Sequence, residues 1–297
     1  MKKIAAVSAF VAVISGFALR AGEDGGLKPL YEVRGFGGSG RFQVIHSAHV
    51  DETTGTLTVL SEAPLRLSVF NTFDGSSLRE IEIFGEAKTP LSVAGCGGYF
   101  YVGTAEGVRV LREDGRIDRD RSRAFPGGAE RLLCDRQGNL VFLDSDAGAV
   151  SKYSSDGKPV FEVRRGEKGQ APRLESATDV AVDYTGAVYI ADYEAGDVKK
   201  FSPEGKYLGV FGGDDRVARS EVRCSLVSAD ARRNIWVYDD FDGKISVFDS
   251  FGFPAGEIET GGAVDSAAMI HVDRLGRLFV LDAGDGAVKV FGVQGGL

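Results

Sequence analysis

The chain is poor in proline, 8 residues in 297, and holds three histidines, three cysteines and one tryptophan. Basic residues are outnumbered, 35 Lys and Arg against 43 Asp and Glu for a net charge of −8. The surface as a whole therefore suits a phosphate backbone badly, and no nucleic-acid partner is expected. Beyond Leu19 no apolar run is long enough to cross a bilayer, which excludes a multispanning protein. A G-x-S-x-G elbow, a P-loop and a spaced Cys/His cluster are all absent, so no catalytic residue, metal ligand set or cofactor is nominated by motif. Glycine is in excess: 41 residues, about twice the usual share and without a three-residue period, which implies many tight turns in a folded protein.

The first residues read as a secretory signal, with Lys2 and Lys3 ahead of the apolar run Ile4 to Leu19. Gly16 and Ala18 form a small-x-small cleavage pattern, and Ala21 offers a second site. Residues 1–21 are taken as the signal, 22–29 as a linker and 30–297 as the folded domain. The mature protein is expected to be exported, periplasmic or extracellular, with no stable membrane insertion after cleavage.

Residues 177 to 212 contain four short strand patterns separated by turn signals, and the rest of the chain copies them. The clearest unit runs Asp179-Val180-Ala181-Val182-Asp183, Val188-Tyr189-Ile190-Ala191-Asp192, Val198 to Phe201 and Tyr207 to Phe211. A nine-residue step between two aspartates recurs from Asp135 to Asp144, Asp230 to Asp239 and Asp273 to Asp282. An aliphatic residue followed three later by an aromatic or Leu marks the third strand: Leu67/Phe70, Val108/Leu111, Val150/Tyr153, Val198/Phe201, Ile245/Phe248 and Val288/Phe291. The spacings of 41, 42, 48, 47 and 43 residues match one four-stranded propeller blade. Gly75, Gly115, Gly157, Gly205 and Gly252 follow where a tight hairpin between third and fourth strands needs positive φ.

These residues resemble the NHL-repeat β-propellers, whose unit reads roughly G-x-A-V-D-x-x-G-x-I-Y-V-A-D. Ala181-Val182-Asp183 and Tyr189-Ile190-Ala191-Asp192 carry the match, which spans about residues 30 to 293. Repeat two departs most, with Ala94 or Gly95 in place of the first Asp and Thr104 in place of the second. The fold expected is all-β, a six-bladed propeller of four-stranded blades. The sixth repeat ends too soon for a fourth strand, whereas Tyr31-Glu32-Val33-Arg34 copies Phe161-Glu162-Val163-Arg164. Residues 30 to 36 are therefore predicted to close the last blade from the N-terminus. In this register Cys134 lies inside a strand, Cys96 in a turn and Cys224 at the opposite end of a distant repeat, so all three are expected to be reduced thiols.

Five residues ahead of the turn Asp or its counterpart stand His46, Thr89, Glu130, Thr178, Ser225 and Ala268, expected to face the central channel. The resemblance implies, for peptidyl-amidoglycolate lyase relatives, three metal-binding histidines at this level, where this chain has His46. His49 and His271 stand at matching sites two residues before Asp51 and Asp273. Lactonase cousins imply convergent acids there, and only Glu130 is present; His46 with Glu130 is the one candidate acid–base pair. Asp144, Asp192, Asp239 and Asp282 read as turn caps, with Ca²⁺ binding the alternative.

The loops between second and third strands sum to −11, while four of the inter-blade connections hold 13 basic residues against 7 acidic ones. Tyr193 and Phe241 stand in the acidic loops of blades four and five. They are expected to anchor a partner together with Arg165, Arg173 and Arg216 of the connections and Asp240. The leading reading is a non-enzymatic binding or scaffold propeller recognising a protein or glycan partner through this loop face. The alternative is a secreted metal-dependent lyase or hydrolase acting in the central channel.

Overall fold

The computed structural model describes residues 26–37, 41–83, 89–166, 174–211, 223–264 and 267–293. The segment expected as signal, 1–21, lies outside them. Six small antiparallel sheets form a ring, a six-bladed β-propeller. Blade one holds β2 (Val44–Asp51), β3 (Thr56–Glu62), β4 (Arg66–Asn71) and β5 (Ser77–Glu82). Blade two holds β6 (Pro90–Cys96), β7 (Tyr99–Thr104) and β8 (Gly107–Leu111), and blade three β9 (Arg131–Cys134), β10 (Leu140–Asp144), β11 (Ala149–Tyr153) and β12 (Pro159–Arg164). Blade four comprises β13 (Ala177–Val182), β14 (Val188–Asp192), β15 (Asp197–Phe201) and β16 (Tyr207–Phe211). Blade five comprises β17 (Cys224–Ala229), β18 (Ile235–Asp239), β19 (Lys244–Phe248) and β20 (Pro254–Glu259). Blade six combines β21 (Ala267–Val272), β22 (Arg277–Asp282) and β23 (Ala287–Val293) with β1 (Leu27–Val33) from the other end of the chain.

Each sheet is apolar on both faces because it is sandwiched between two others, and the buried side chains form clusters at the seams. One cluster joins Trp236 and Ile245 of blade five to Ile270 and Leu278 of blade six; another joins Phe279 and Val290 of blade six to Leu57 and Phe70 of blade one. The hairpin glycines have a double reason. Gly75, Gly115, Gly157, Gly205 and Gly252 all have positive φ. At Gly75, Gly205 and Gly252 a Cβ would also run into Tyr31, Phe161 and Phe211 on the outer strand of the preceding blade.

The ring closes as expected, with the strand slightly displaced in extent. Tyr31 pairs with Val290 and Val33 with Val288, just as Val163 pairs with Val150 in blade three. The strand runs over Leu27–Val33, so residues 27 to 29, expected as linker, belong to the sheet. Tyr31 Oη donates to the Thr72 carbonyl of blade one and Arg277 to the same oxygen at 2.6 Å, tying the closing blade to the first. Burial pushes the Tyr31 phenol up to about 12.

Blade two, the weakest repeat, fills its outer position differently. An isolated bridge joins Leu111 to Ile117, and a short helix, α1 (Arg119–Ser122), follows, with Asp118 accepting from the Arg121 amide. Ser122 Oγ accepts the Val110 N–H at 2.9 Å, a donor that a fourth strand would otherwise take.

The expectation of three free thiols is corrected: Cys96 and Cys134 form a disulfide with Cα atoms 5.9 Å apart, while Cys224 is free and buried. Placing the cysteines within their own sheets missed that innermost strands of consecutive blades converge on the axis. Both residues end such a strand at the same end of the channel, Cys96 opposite Tyr99 and Cys134 opposite Leu140.

Candidate functional site

The turn aspartates fix the geometry at both channel mouths. Asp135 Oδ1 accepts the amides of Gln137 and Asn139, Asp230 those of Arg232 and Asn234, and Asp273 those of Leu275 and Arg277. The second oxygen accepts from a side chain of the same blade: Lys152 at 3.0 Å, Tyr189 on Asp183 at 3.0 Å, Trp236 on Asp230 at 3.2 Å and Arg277 on Asp273 at 2.6 Å. In blade two Cys96 stands where this Asp belongs, and the disulfide to blade three holds that turn instead.

At the opposite, loop-bearing face the second aspartates act as caps and also bracket the incoming connection. Asp144 accepts from Ala147 and from Gly128, Asp192 from Glu175 and Ser176, and Asp239 from Phe241 and Arg223. Lys199 lies 2.8 Å from Asp192 and 2.5 Å from Asp197. Burial opposes its charge, but those two hydrogen bonds outweigh it and hold the ammonium above its ordinary value. Oxygens engaged in this way are a poor start for a Ca²⁺ site. Among the described residues no group of three or more His, Cys, Asp or Glu could hold a metal ion.

The ring of residues expected to face the channel is set by β-bulges. The register slips at His46, Thr178, Ser225 and Ala268, one extra residue in each innermost strand. In blade two it slips at Leu91, so Leu91 and not Thr89 is the counterpart; Thr89 is exposed, with φ 50, just ahead of the strand. Thr178 Oγ1 donates to the Cys224 carbonyl of the next blade at 3.1 Å, and Ser225 Oγ to the Tyr238 carbonyl at 3.1 Å. His46 does not meet Glu130. Its Nε2 lies 3.3 Å from Glu62 at the end of the adjacent strand, whereas Glu130 accepts the Ser145 amide at 3.0 Å. Sequence reasoning missed Glu62, which pairs with Val44 one residue beyond Ser61, the blade-one counterpart of Asp192 in strand register.

On the same face the two aromatics expected as anchors are brought together by a residue not nominated for it. The Arg223 guanidinium lies 5.7 Å from the Tyr193 ring centre and 5.3 Å from that of Phe241, and donates to Tyr193 Oη at 3.1 Å. Phe241 is 65% exposed. The hydrogen bond to Tyr193 and the charges of Asp240 and Glu194 raise the Arg223 guanidinium further above its already high value. Arg165 belongs to blade three, its amide bonded to the Gly148 carbonyl. Arg173 and Arg216 lie outside the described residues.

A cavity of 890 Å³ opens at the opposite mouth, where the turns between first and second strands converge; His49, Glu52, Arg79, Arg136, Tyr184 and His271 are among its walls. His271 Nε2 lies 3.5 Å from Glu52 Oε1, and the Arg274 amide donates to Glu52 at 3.1 Å. Burial alone would raise the Glu52 carboxyl, but His271, the Arg274 amide and the Arg136 charge together hold it below the usual carboxylate range. Burial pushes the His49 imidazole down to about 4. His49 and His271 thus meet at this mouth, while His46 faces the other.

No family model matches the chain, and no curated protein matches it in sequence. It is similar in structure to a streptogramin B lyase, at a TM-score of 0.60 and 12% identity, over 90% of this chain and 88% of that one. It is also similar to a catalytically inactive virginiamycin B lyase from Staphylococcus aureus with quinupristin, at a TM-score of 0.58 and 12% identity, over 84% of this chain and 85% of that one. What the chain shares with these two lyases is the six-bladed propeller over almost the whole of its length.

Proposed function

We propose that the chain is an exported, NHL-type binding propeller that recognises a protein or glycan partner through the loop face of blades three to five. The observation that supports this reading is the Arg223 cluster. An exposed Phe241 and a half-buried Tyr193 from two different blades are held on one guanidinium, with Asp240 close enough to act on its charge. Preorganised aromatics beside an arginine are the composition of an interface centre. The Tyr193→Ala, Phe241→Ala double variant is expected to lose capture of immobilised envelope proteins and glycans while melting within a degree or two of the parent. Retained capture would refute the face.

A metal-dependent lyase or hydrolase is the second reading. It is favoured by the fold shared with two lyases and by the placing of His46 Nε2 3.3 Å from a Glu62 carboxylate oxygen at the channel mouth. The described residues do not gather the three protein ligands that a catalytic zinc site uses, so no step is assigned to a metal. Incubation with quinupristin, followed by chromatography, separates the readings: turnover lost in His46→Ala would favour the enzyme.

A further inference from the structure

Four of the turns at the cavity mouth, those of blades three to six, share one backbone plan, and one of them fills its left-handed position with a residue other than glycine. Three residues after the turn aspartate stand Gly138, Gly186 and Gly276, with φ of 83, 85 and 73. Blade five has Arg233 in that slot, and it adopts the same left-handed conformation, φ 68, which any side chain with a Cβ disfavours. Glycine is what the turn asks for, so the arginine is there for its side chain.

That side chain reaches back over the neighbouring blade. Its guanidinium carbon lies 6.0 Å from the ring centre of Tyr184, and that of Arg136, from the blade on the other side, lies 5.9 Å from the same ring. Two cations thus converge on one tyrosine that is 43% exposed at the cavity mouth. Neither makes an ion pair with a carboxylate among the described residues. The nearest turn acids are taken: Asp135 by Lys152 and Asn139, Asp230 by Asn234 and Trp236. Beyond those buried aspartates, the turns around the mouth carry Arg136, Arg232, Arg233 and Arg274 beside Asp51 and Glu52, and the cavity wall adds Arg79 and the exposed Glu113. The adjoining wall is neutral and polar, with Thr53, Thr54, Gln137 and the Gly97-Gly98 backbone, groups that suit hydroxyls.

We propose that this mouth binds an anionic oligosaccharide, with Arg136 and Arg233 meeting its carboxylate or sulfate groups and the threonine-lined wall its hydroxyls. Guanidinium groups take such oxyanions in paired hydrogen bonds. The site lies on the face opposite the Arg223 cluster and stands whether or not that cluster binds a partner.

Arg233→Gly is a clean perturbation, because it restores the residue that the turn prefers. Titration calorimetry of the full mature protein with an oligogalacturonate, a heparin-derived tetrasaccharide and an oligoglutamate peptide tests the site. One of the two oligosaccharides is expected to bind, and which one does separates carboxylate from sulfate recognition. Affinity should fall about 10- to 100-fold in Arg233→Gly and in Arg136→Gln, the worth of one charged hydrogen-bonding group, while the melting temperature of Arg233→Gly is unchanged or raised. Binding of neither oligosaccharide, undiminished binding by Arg233→Gly, or tighter binding of oligoglutamate than of both sugars would overturn the proposal.

Discussion

The disulfide offers the sharpest check on how the blades meet. Cys96→Ser with Cys134→Ser removes the link while keeping small polar side chains. The cysteines are separated by 38 residues, and closing a loop of that size in the unfolded chain is worth about 4 kcal/mol in the chain-entropy account. The native side adds to this, since the blade-two turn lacks the Asp bracket that the other turns have. For a domain of this size about 2 °C accompanies each kcal/mol, so the melt should fall by about 6–8 °C. Treating the parent with a phosphine reductant should give the same shift, and the double variant should not respond to it. The assay is calorimetry on protein exported to an oxidising compartment, paired with thiol titration in denaturant. One thiol per chain before reduction, Cys224, and three after is the expected count. In the native protein Cys224 should react slowly, because burial pushes its thiol up to about 12. Three thiols in unreduced, denatured protein, or a melt that reduction leaves unmoved, would refute the reasoning.

Two further outcomes follow from buried charges. Asp179 is fully buried, 2.5 Å from Arg131 of blade three and accepting the Val227 amide of blade five at 3.0 Å. Asp179→Ala should cost about 3–5 kcal/mol in urea unfolding by stranding the arginine, and adding Arg131→Met should recover part of that; no recovery would count against the pair. His49 is held neutral in the fold, with its pKa near 4, against about 6.5 in an unfolded chain. Between those values the unfolded chain binds the extra proton, so stability falls as pH drops from 6.5 towards 4. His49→Gln should flatten that part of the urea-midpoint profile, and an identical slope in the variant would rule His49 out as its source.

The fold was legible because each blade must repeat the same local solutions. Third-strand pairs at 41 to 48 residues, hairpin glycines and the copy of Phe161 to Arg164 at Tyr31 to Arg34 are all contained within single segments, and the pairing of Val33 with Val288 keeps the register that they imply. Contacts between blades were not legible in the same way. The bridge from Cys96 to Cys134 and the clamp of Arg223 on Tyr193 and Phe241 depend on how far neighbouring sheets are rotated, and the seating of His46 against Glu62 within blade one on where a bulge falls. In blade two the bulge moved the channel position from Thr89 to Leu91, a slip that strand composition alone does not reveal. Arg233 did carry a signal, a bulky residue where three sister turns have glycine, but it shows only when turns are compared residue by residue.

Net charge misled in a related way, and the reason is structural. Asp135, Asp183, Asp230 and Asp273 contribute to the overall −8, yet all four are buried and spend their oxygens on turn amides and on Lys152, Tyr189, Trp236 and Arg277. Their role is to hold hairpins in shape, so their charge is largely answered from within the blade. Arg136 and Arg233, beside two of them in the sequence, extend from the same turns over Tyr184 with no comparable structural duty in the repeat, as the sister turn Tyr184-Thr185-Gly186 shows by doing without one. Composition averages the two sets, whereas a ligand at the channel mouth meets the guanidinium groups of Arg136 and Arg233 at Tyr184 beside carboxylates whose oxygens the turns already use. An acidic propeller can in this way still hold a pair of arginines at its mouth.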